Sequence, residues 1–244
     1  MTRIILCEGK TDVILLSYYL GQCQGWEFNR NPTKFKVKLH DIENQFIAHY
    51  KKDKEELCIC SVGGKDNFIS FYKEYVEKYI VDSENGELEF KLVIIADRDD
   101  RAVLDIEKQF NDGLSPHITK FKNQKWTVNS FINGFSQEGS LFVLGIIIPK
   151  EKQGALETLL MDSISEDIYD KNIVLKSKSF VKGISKDASK YIKTDRLLLK
   201  SELGVSLAIL FPEKVFSLID EQLKSIDWKK STIINECFKE LMNI

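Results

Sequence analysis

Four short apolar runs constrain this chain more than any other feature of it: RIILC (3–7), LCICSV (57–62), KLVIIA (91–96) and FVLGIII (142–148). They are rich in Ile and Val and show no polar alternation, the pattern of parallel strands covered on both faces. Between them, apolar residues recur at three- and four-residue spacing, which predicts helices. TDVILLSYYLG (11–21) has a Thr/Asp cap and a closing glycine. IENQFIAHYKK (42–52) and KDNFISFYKEYVEKYI (65–80) keep the same spacing, and RAVLDIEKQFNDG (101–113) again ends at glycine. Strand alternating with helix implies an α/β fold with a mainly parallel sheet. NRNPTKFKVKLHD (29–41) is expected to add an edge strand or hairpin.

After Pro149 the texture changes. KEKQGALETLLMDSI (150–164) reads as a helix, and KSKSFVKGISKDASKYIKTDRLLLK (176–200) as basic and helical in its second half. PEKVFSLIDEQLKSI (212–226) begins with Pro212 at a first-turn position, and TIINECFKELMNI (232–244) reads as a further helix. The expected division is an α/β core over 1–150 and a mostly helical C-terminal region over 151–244 packed on it.

With 244 residues, 43% of them hydrophobic, the chain suits one large domain or one domain with an appendage. Its net charge of −2 supplies no global basic field, so any nucleic-acid binding must use a local patch. The longest apolar stretch, SLFVLGIIIP, falls far short of the roughly 20 residues that span a membrane. Glu8 and Lys10 interrupt any signal-like core, so no membrane association and a cytoplasmic location are expected. The five cysteines form no CxxC, and the ordinary reading is buried thiols in a reduced cell. The three histidines are scattered, which argues against zinc.

Gly9-Lys10-Thr11 invites comparison with a P-loop, yet Ile4 stands where that motif needs its first glycine, and Glu8 would repel phosphate. Glu8 itself is more informative. It ends the first apolar run, while Asp97 and Asp99 follow the third in IIADRDD, two apart and so aimed one way in extended chain. Ligands of open parallel sheets bind beyond such strand ends. If the two strands are neighbours, three carboxylates converge and raise one another's pKa. A divalent cation relieves that repulsion, and oxygen ligands without His or Cys suit Mg2+ or Mn2+. Either motif alone is as readily structural: Thr11 or Asp12 as a helix cap, Asp99 or Asp100 as another.

ILCEGKTD, followed about 90 residues later by VIIADRDD, resembles the Toprim domain of topoisomerases, bacterial primases, recombination mediators and OLD-family (overcoming lysogenisation defect) nucleases. SVGGKDNFISFY is similar to the glycine turn after the second Toprim strand, and LGIIIPKEKQGALETLL to small stand-alone OLD-like Toprim proteins. The resemblance covers about residues 1–165. It implies a Rossmann-like Toprim core and a Mg2+- or Mn2+-dependent nuclease acting on DNA or RNA. Glu8 would be the acid/base carboxylate or a metal ligand, Asp97 and Asp99 metal ligands, and Asp12 their support. Glu157 would be a further ligand, though it reads equally as a surface helix residue. Gly9, Gly63 and Gly64 would form turns at the site, with Lys65 and Asp66 as helix-start residues rather than catalysts. A separate ATPase partner, a homodimer and a part in phage defence are compatible with the family. The alternative is a non-catalytic Toprim module that binds nucleic acid or a protein partner.

Residues 171–200 hold nine Lys and Arg against Asp187 and Asp195. Such a run is ordinarily a solvated face. Beside a phosphodiester site it becomes a groove that tracks the backbone. Lys176, Lys178, Lys182, Lys190 and Lys193 are the expected nucleic-acid contacts, with Lys186, Lys190 and Lys193 on one helix face. OLD nucleases also use a lysine after their acidic motifs, and Lys186 is the residue this implies. Arg30, Lys34, Lys36 and Lys38 form a second, smaller patch.

Overall fold

The computed structural model of the chain describes residues 1–36, 45–82, 87–214 and 219–244. The elements run β1 (Thr2–Cys7), α1 (Lys10–Gln24), β2 (Glu27–Phe28), β3 (Gln45–Lys52), β4 (Glu55–Val62), α2 (Phe68–Phe71), α3 (Lys78–Val81) and β5 (Glu89–Asp97). They continue through α4 (Val103–Gly113), β6 (Trp126–Ile132), β7 (Glu138–Ile148), α5 (Leu156–Ile164), α6 (Ile168–Ile184), α7 (Asp195–Leu210), α8 (Ile219–Lys224) and α9 (Thr232–Cys237). The strands form one sheet in the order β2-β3-β4-β1-β5-β7-β6. The four apolar runs are its parallel centre, β4-β1-β5-β7, and the other strands are antiparallel edges.

The absence of alternation in the central runs now has its cause. Ile5, Cys7, Val93, Ile95, Leu144 and Ile146 pack on one face beneath α1, α5, α7 and α9. Ile4, Leu6, Leu92, Ile94, Val143 and Ile147 pack on the other, beneath residues 68–80 and α4. The C-terminal helices thus share one core with the sheet. Cys58 and Cys60 lie side by side in the second layer, and the five cysteines are free thiols. Among the described residues no helix is long and apolar enough to cross a membrane. Ile94 is fully buried in the central layer. Ile94→Ala is expected to cost about 2–5 kcal/mol, read as a lowered urea midpoint with unchanged slope.

Three local expectations are corrected. Residues 45–52 of IENQFIAHYKK form the strand β3, not a helix. Their spacing also satisfies a period of two, and a tight turn with Asp53 at φ 53 folds them back along the whole of β4. The helix of 150–164 begins only at Leu156, because Gly154 at φ 141 ends a loop there. In 176–200 both ends are helical and only the middle is not. The helix α6 runs to Ile184, turns follow through Tyr191, and α7 restarts behind the Thr194 cap. Lys186, Lys190 and Lys193 therefore share no helix face. Lys38, His40 and Val215–Leu218 lie outside the described residues.

Candidate functional site

Strands β1 and β5 are parallel neighbours in register, Cys7 opposite Ile95. After β1 the chain packs α1 on one face of the sheet, and after β5 it packs α4 on the other. The two strands therefore end at a crevice of the kind that holds ligands in open α/β sheets. Glu8 leaves β1 into that crevice and Asp97 ends β5 beside it. The Asp97 backbone N–H donates to Glu8 Oε1 at 2.9 Å.

Local backbone geometry fixes the rest of the acids. Gly63 and Gly64 donate their N–H groups to the Glu8 carbonyl at 3.1 and 2.9 Å, so the turn after β4 is tied to the end of β1. Gly64 has φ 127, a conformation costly for any residue with a Cβ. Asp99 exchanges two backbone hydrogen bonds with Gly154, at 2.7 and 2.8 Å. That bridge draws the start of α5 against β5. The first amide of α5, Leu156, donates to Asp97 Oδ1 at 2.8 Å, and Glu157 follows it, buried. A Cβ at Gly154 would meet the Thr158 hydroxyl at 2.5 Å on top of its positive φ. Gly154→Val is expected to cost about 1–3 kcal/mol and to loosen the acids, a combination that thermal melting and a cleavage assay would register together.

Arg196, in the first turn of α7, stands among the carboxylates. Its Nη2 lies 2.6 Å from Asp97 Oδ2 and 3.4 Å from Glu157 Oε2, and its Nη1 lies 3.7 Å from Asp99 Oδ1. Lys65 Nζ donates to Asp99 Oδ2 at 2.9 Å, and Lys200 Nζ is 3.9 Å from Glu157. Burial raises the Glu8 carboxyl from its ordinary 4.5 to about 7, and the Asp97 charge adds to the rise. Burial likewise raises Asp97 to about 6, although Arg196 pulls it down. Asp12 is pushed well up by burial and by the charges of Asp97 and Glu8.

Of the residues expected at the site, Glu8, Asp97, Asp99 and Glu157 meet, and Glu157 is not a surface residue. Asp12 lies behind them, where its Oδ2 accepts from the Gly9 N–H at 2.9 Å and closes the turn into α1. The lysines do not follow. Lys186 is exposed in the turns after α6, and among the described residues neither it nor Lys176, Lys178, Lys182, Lys190 or Lys193 pairs with these acids. Lys178 and Lys182 act electrostatically on Glu202 of α7 instead, and Lys190 lies over the Tyr191 ring. In the smaller patch Lys34 is taken by Glu87 at 2.8 Å. Lys65 sits at the site rather than serving only as a helix start. Arg196 and Lys200, part of the basic run, are the groups that sequence reasoning passed over. Their spacing of four put them on one helix face, but nothing local aimed that face at residues about 100 positions away.

The donor chemistry suits a hard divalent cation. Asp97 Oδ2 and Glu157 Oε2 are buried and accept no aligned hydrogen bond. The spacing, however, suits the guanidinium between them. Among the described residues no three His, Cys, Asp or Glu side chains are arranged to ligate one ion. Two hollows flank the acids. A pit of about 70 Å³ adjoins Glu8, Lys65 and Arg101, and a cleft of about 430 Å³ adjoins Glu157 and Lys200. The pit has room for water and not for a nucleotide.

Comparison with known proteins adds little chemistry. No curated protein matches the chain. Among solved structures it is similar to a hypothetical protein from Pyrococcus horikoshii OT3, at 14% identity and a TM-score of 0.47, over 98% of this chain and 99% of that one. The cytosolic domain of the T. maritima FeoB iron transporter, in its GDP form, aligns at 11% identity and a TM-score of 0.18, over 98% and 99%. The family described as "Protein of unknown function (DUF3226)" matches residues 2–242, and the chain belongs to that family.

Proposed function

We propose that the chain is a divalent-metal-dependent nuclease, hydrolysing phosphodiesters of DNA or RNA at a Toprim-type acidic site. The observation that carries this reading is the meeting of Glu8, Asp97, Asp99 and Glu157, from three separate stretches, at the ends of neighbouring parallel strands. Buried acids held this close oppose folding when ionised, and such groups cluster at functional sites. Asp97, Asp99 and Glu157 would hold Mg2+ or Mn2+, with Asp12 behind them. When bound, the ion would polarise a phosphoryl oxygen and stabilise the charge that develops on it. Glu8 titrates near neutrality beside a water-sized pit, so it can take a proton from an attacking water or return one to the leaving oxygen. Lys65 and Lys200 supply positive charge where a nucleic-acid backbone would approach. The phage-defence role and the ATPase partner rest on family analogy with the same Toprim resemblance, and the cytoplasmic location on the reading of the cysteines as reduced thiols.

A second reading, a non-catalytic binding module, is favoured by one observation: Arg196 and Lys65 already neutralise the acids. Incubation with mixed DNA and RNA in Mg2+ or Mn2+, beside Glu8→Gln and Asp97→Asn, separates the two. The nuclease reading expects cleavage by the wild type and loss of it in both variants. Cleavage untouched by either substitution would sink the site, and binding without cleavage by the wild type would favour the module.

A further inference from the structure

We infer that Arg196 serves this site in two roles by turns: counter-ion of the carboxylates in the metal-free chain, and ligand of the substrate's phosphate once a divalent ion has taken those carboxylates. The inference rests on the nuclease reading above. The two buried oxygens that accept no aligned hydrogen bond, Asp97 Oδ2 and Glu157 Oε2, both face one nitrogen of Arg196. These are the atoms best placed to bind an ion, and the guanidinium fills the space between them. An ion with oxygen contacts of about 2.0–2.6 Å and a guanidinium nitrogen 2.6 Å from Asp97 cannot share that space, and their charges repel.

Arg196 is able to leave. Its side chain is 34% exposed, and it stands at the start of α7, just after the exposed turns of 185–193. Its planar fork matches phosphate oxygens better than a lysine's point charge does. Lys200, four residues on and beside Glu157, adds a second positive charge along the cleft. Metal loading and phosphate binding would then be coupled through one residue, Arg196, which would leave the carboxylates and turn its fork to the substrate's phosphate.

The full chain tests this in three forms: wild type, Arg196→Gln and Arg196→Lys. Mn2+ affinity is read from the free-ion electron paramagnetic resonance signal. Binding of a labelled phosphorothioate DNA oligonucleotide, which resists hydrolysis, is read by fluorescence anisotropy at saturating Mn2+. Arg196→Gln is expected to bind Mn2+ more tightly by about tenfold or more and the oligonucleotide more weakly by a similar factor. Arg196→Lys should fall between, because a lysine keeps the charge and loses the fork. Should Arg196→Gln fold only when Mn2+ is present, that rescue supports the exchange, and tighter Mn2+ binding by Arg196→Lys decides it. Mn2+ affinity equal to or weaker than wild type in both folded variants overturns the inference, while the nuclease reading stands on wild-type binding and cleavage. If no form of the chain binds Mn2+, the nuclease reading falls and takes the inference with it. Mn2+ binding by Arg196→Gln alone would overturn the inference, because the wild-type guanidinium would then never yield the carboxylates to the ion.

Discussion

Glu8→Gln is expected to abolish Mg2+- or Mn2+-dependent cleavage and, in the same protein, to stabilise the metal-free chain at pH 8. The two effects share one cause. The Glu8 carboxylate is buried beside Asp97, and both burial and that neighbouring charge oppose its ionisation. A glutamine keeps the side-chain oxygen that accepts the Asp97 N–H and leaves the turn intact. It removes the charge and the transferable proton. Loss of a general acid or base lowers turnover by about a hundred- to ten-thousand-fold. A carboxyl raised from 4.5 to about 7 opposes folding by about 3 kcal/mol once it ionises, and the variant escapes that cost. Reduced cleavage together with a raised melting temperature marks a site residue held against its own stability. A variant that loses activity and also melts lower would instead make Glu8 a structural group.

The metal-free wild type is expected to lose stability as pH rises from 5 to 8, and Mn2+ to restore far more of it at pH 8 than at pH 5. The folded-state pKa of Glu8, about 7, exceeds its ordinary 4.5, so the folded chain binds the extra proton between those values. Stability is then fully present below about 4.5 and is lost as pH climbs through about 7. Asp97, raised from 3.8 to about 6, drops in the same direction and titrates jointly with Glu8. A loss of about 3 kcal/mol lowers the melting temperature by roughly 10 °C in a chain of this size. A divalent ion favours the ionised acids, so its stabilisation is expected to grow over the same pH range. Differential scanning fluorimetry across pH with and without Mn2+ measures both. A flat curve in the metal-free chain would show that these carboxyls ionise in the folded state without penalty.

The legible part of the fold follows from how local its signals are. The four central strands announce themselves because a strand buried on both faces must be apolar at nearly every position. Phe46 to Tyr50 were harder, since their apolar residues satisfy helical and strand spacing alike, and only the pairing of β3 with β4 decides between them. The break in the middle of 176–200 has a similar origin. Lysine favours helix while serine competes for caps and turns, so propensity does not place the break, and packing of Val174, Ser177 and Val181 sets α6 where it is.

The candidate site divides in the same way. Glu8, Asp97 and Asp99 were visible because a carboxylate directly after an apolar strand is an unusual local event. Chain order alone thus determined the parallel strands and the acids at their ends. The tertiary structure decided that β1 lies beside β5, that the Asp99–Gly154 bridge brings Glu157 in from α5, and that Arg196 and Lys65, not Lys186, are cations among them. Strand spacing and hydrophobic period act over a few residues and can be read along the chain. Which charge meets which depends on how sheet and helices pack, and only the folded chain brings Arg196 to Asp97.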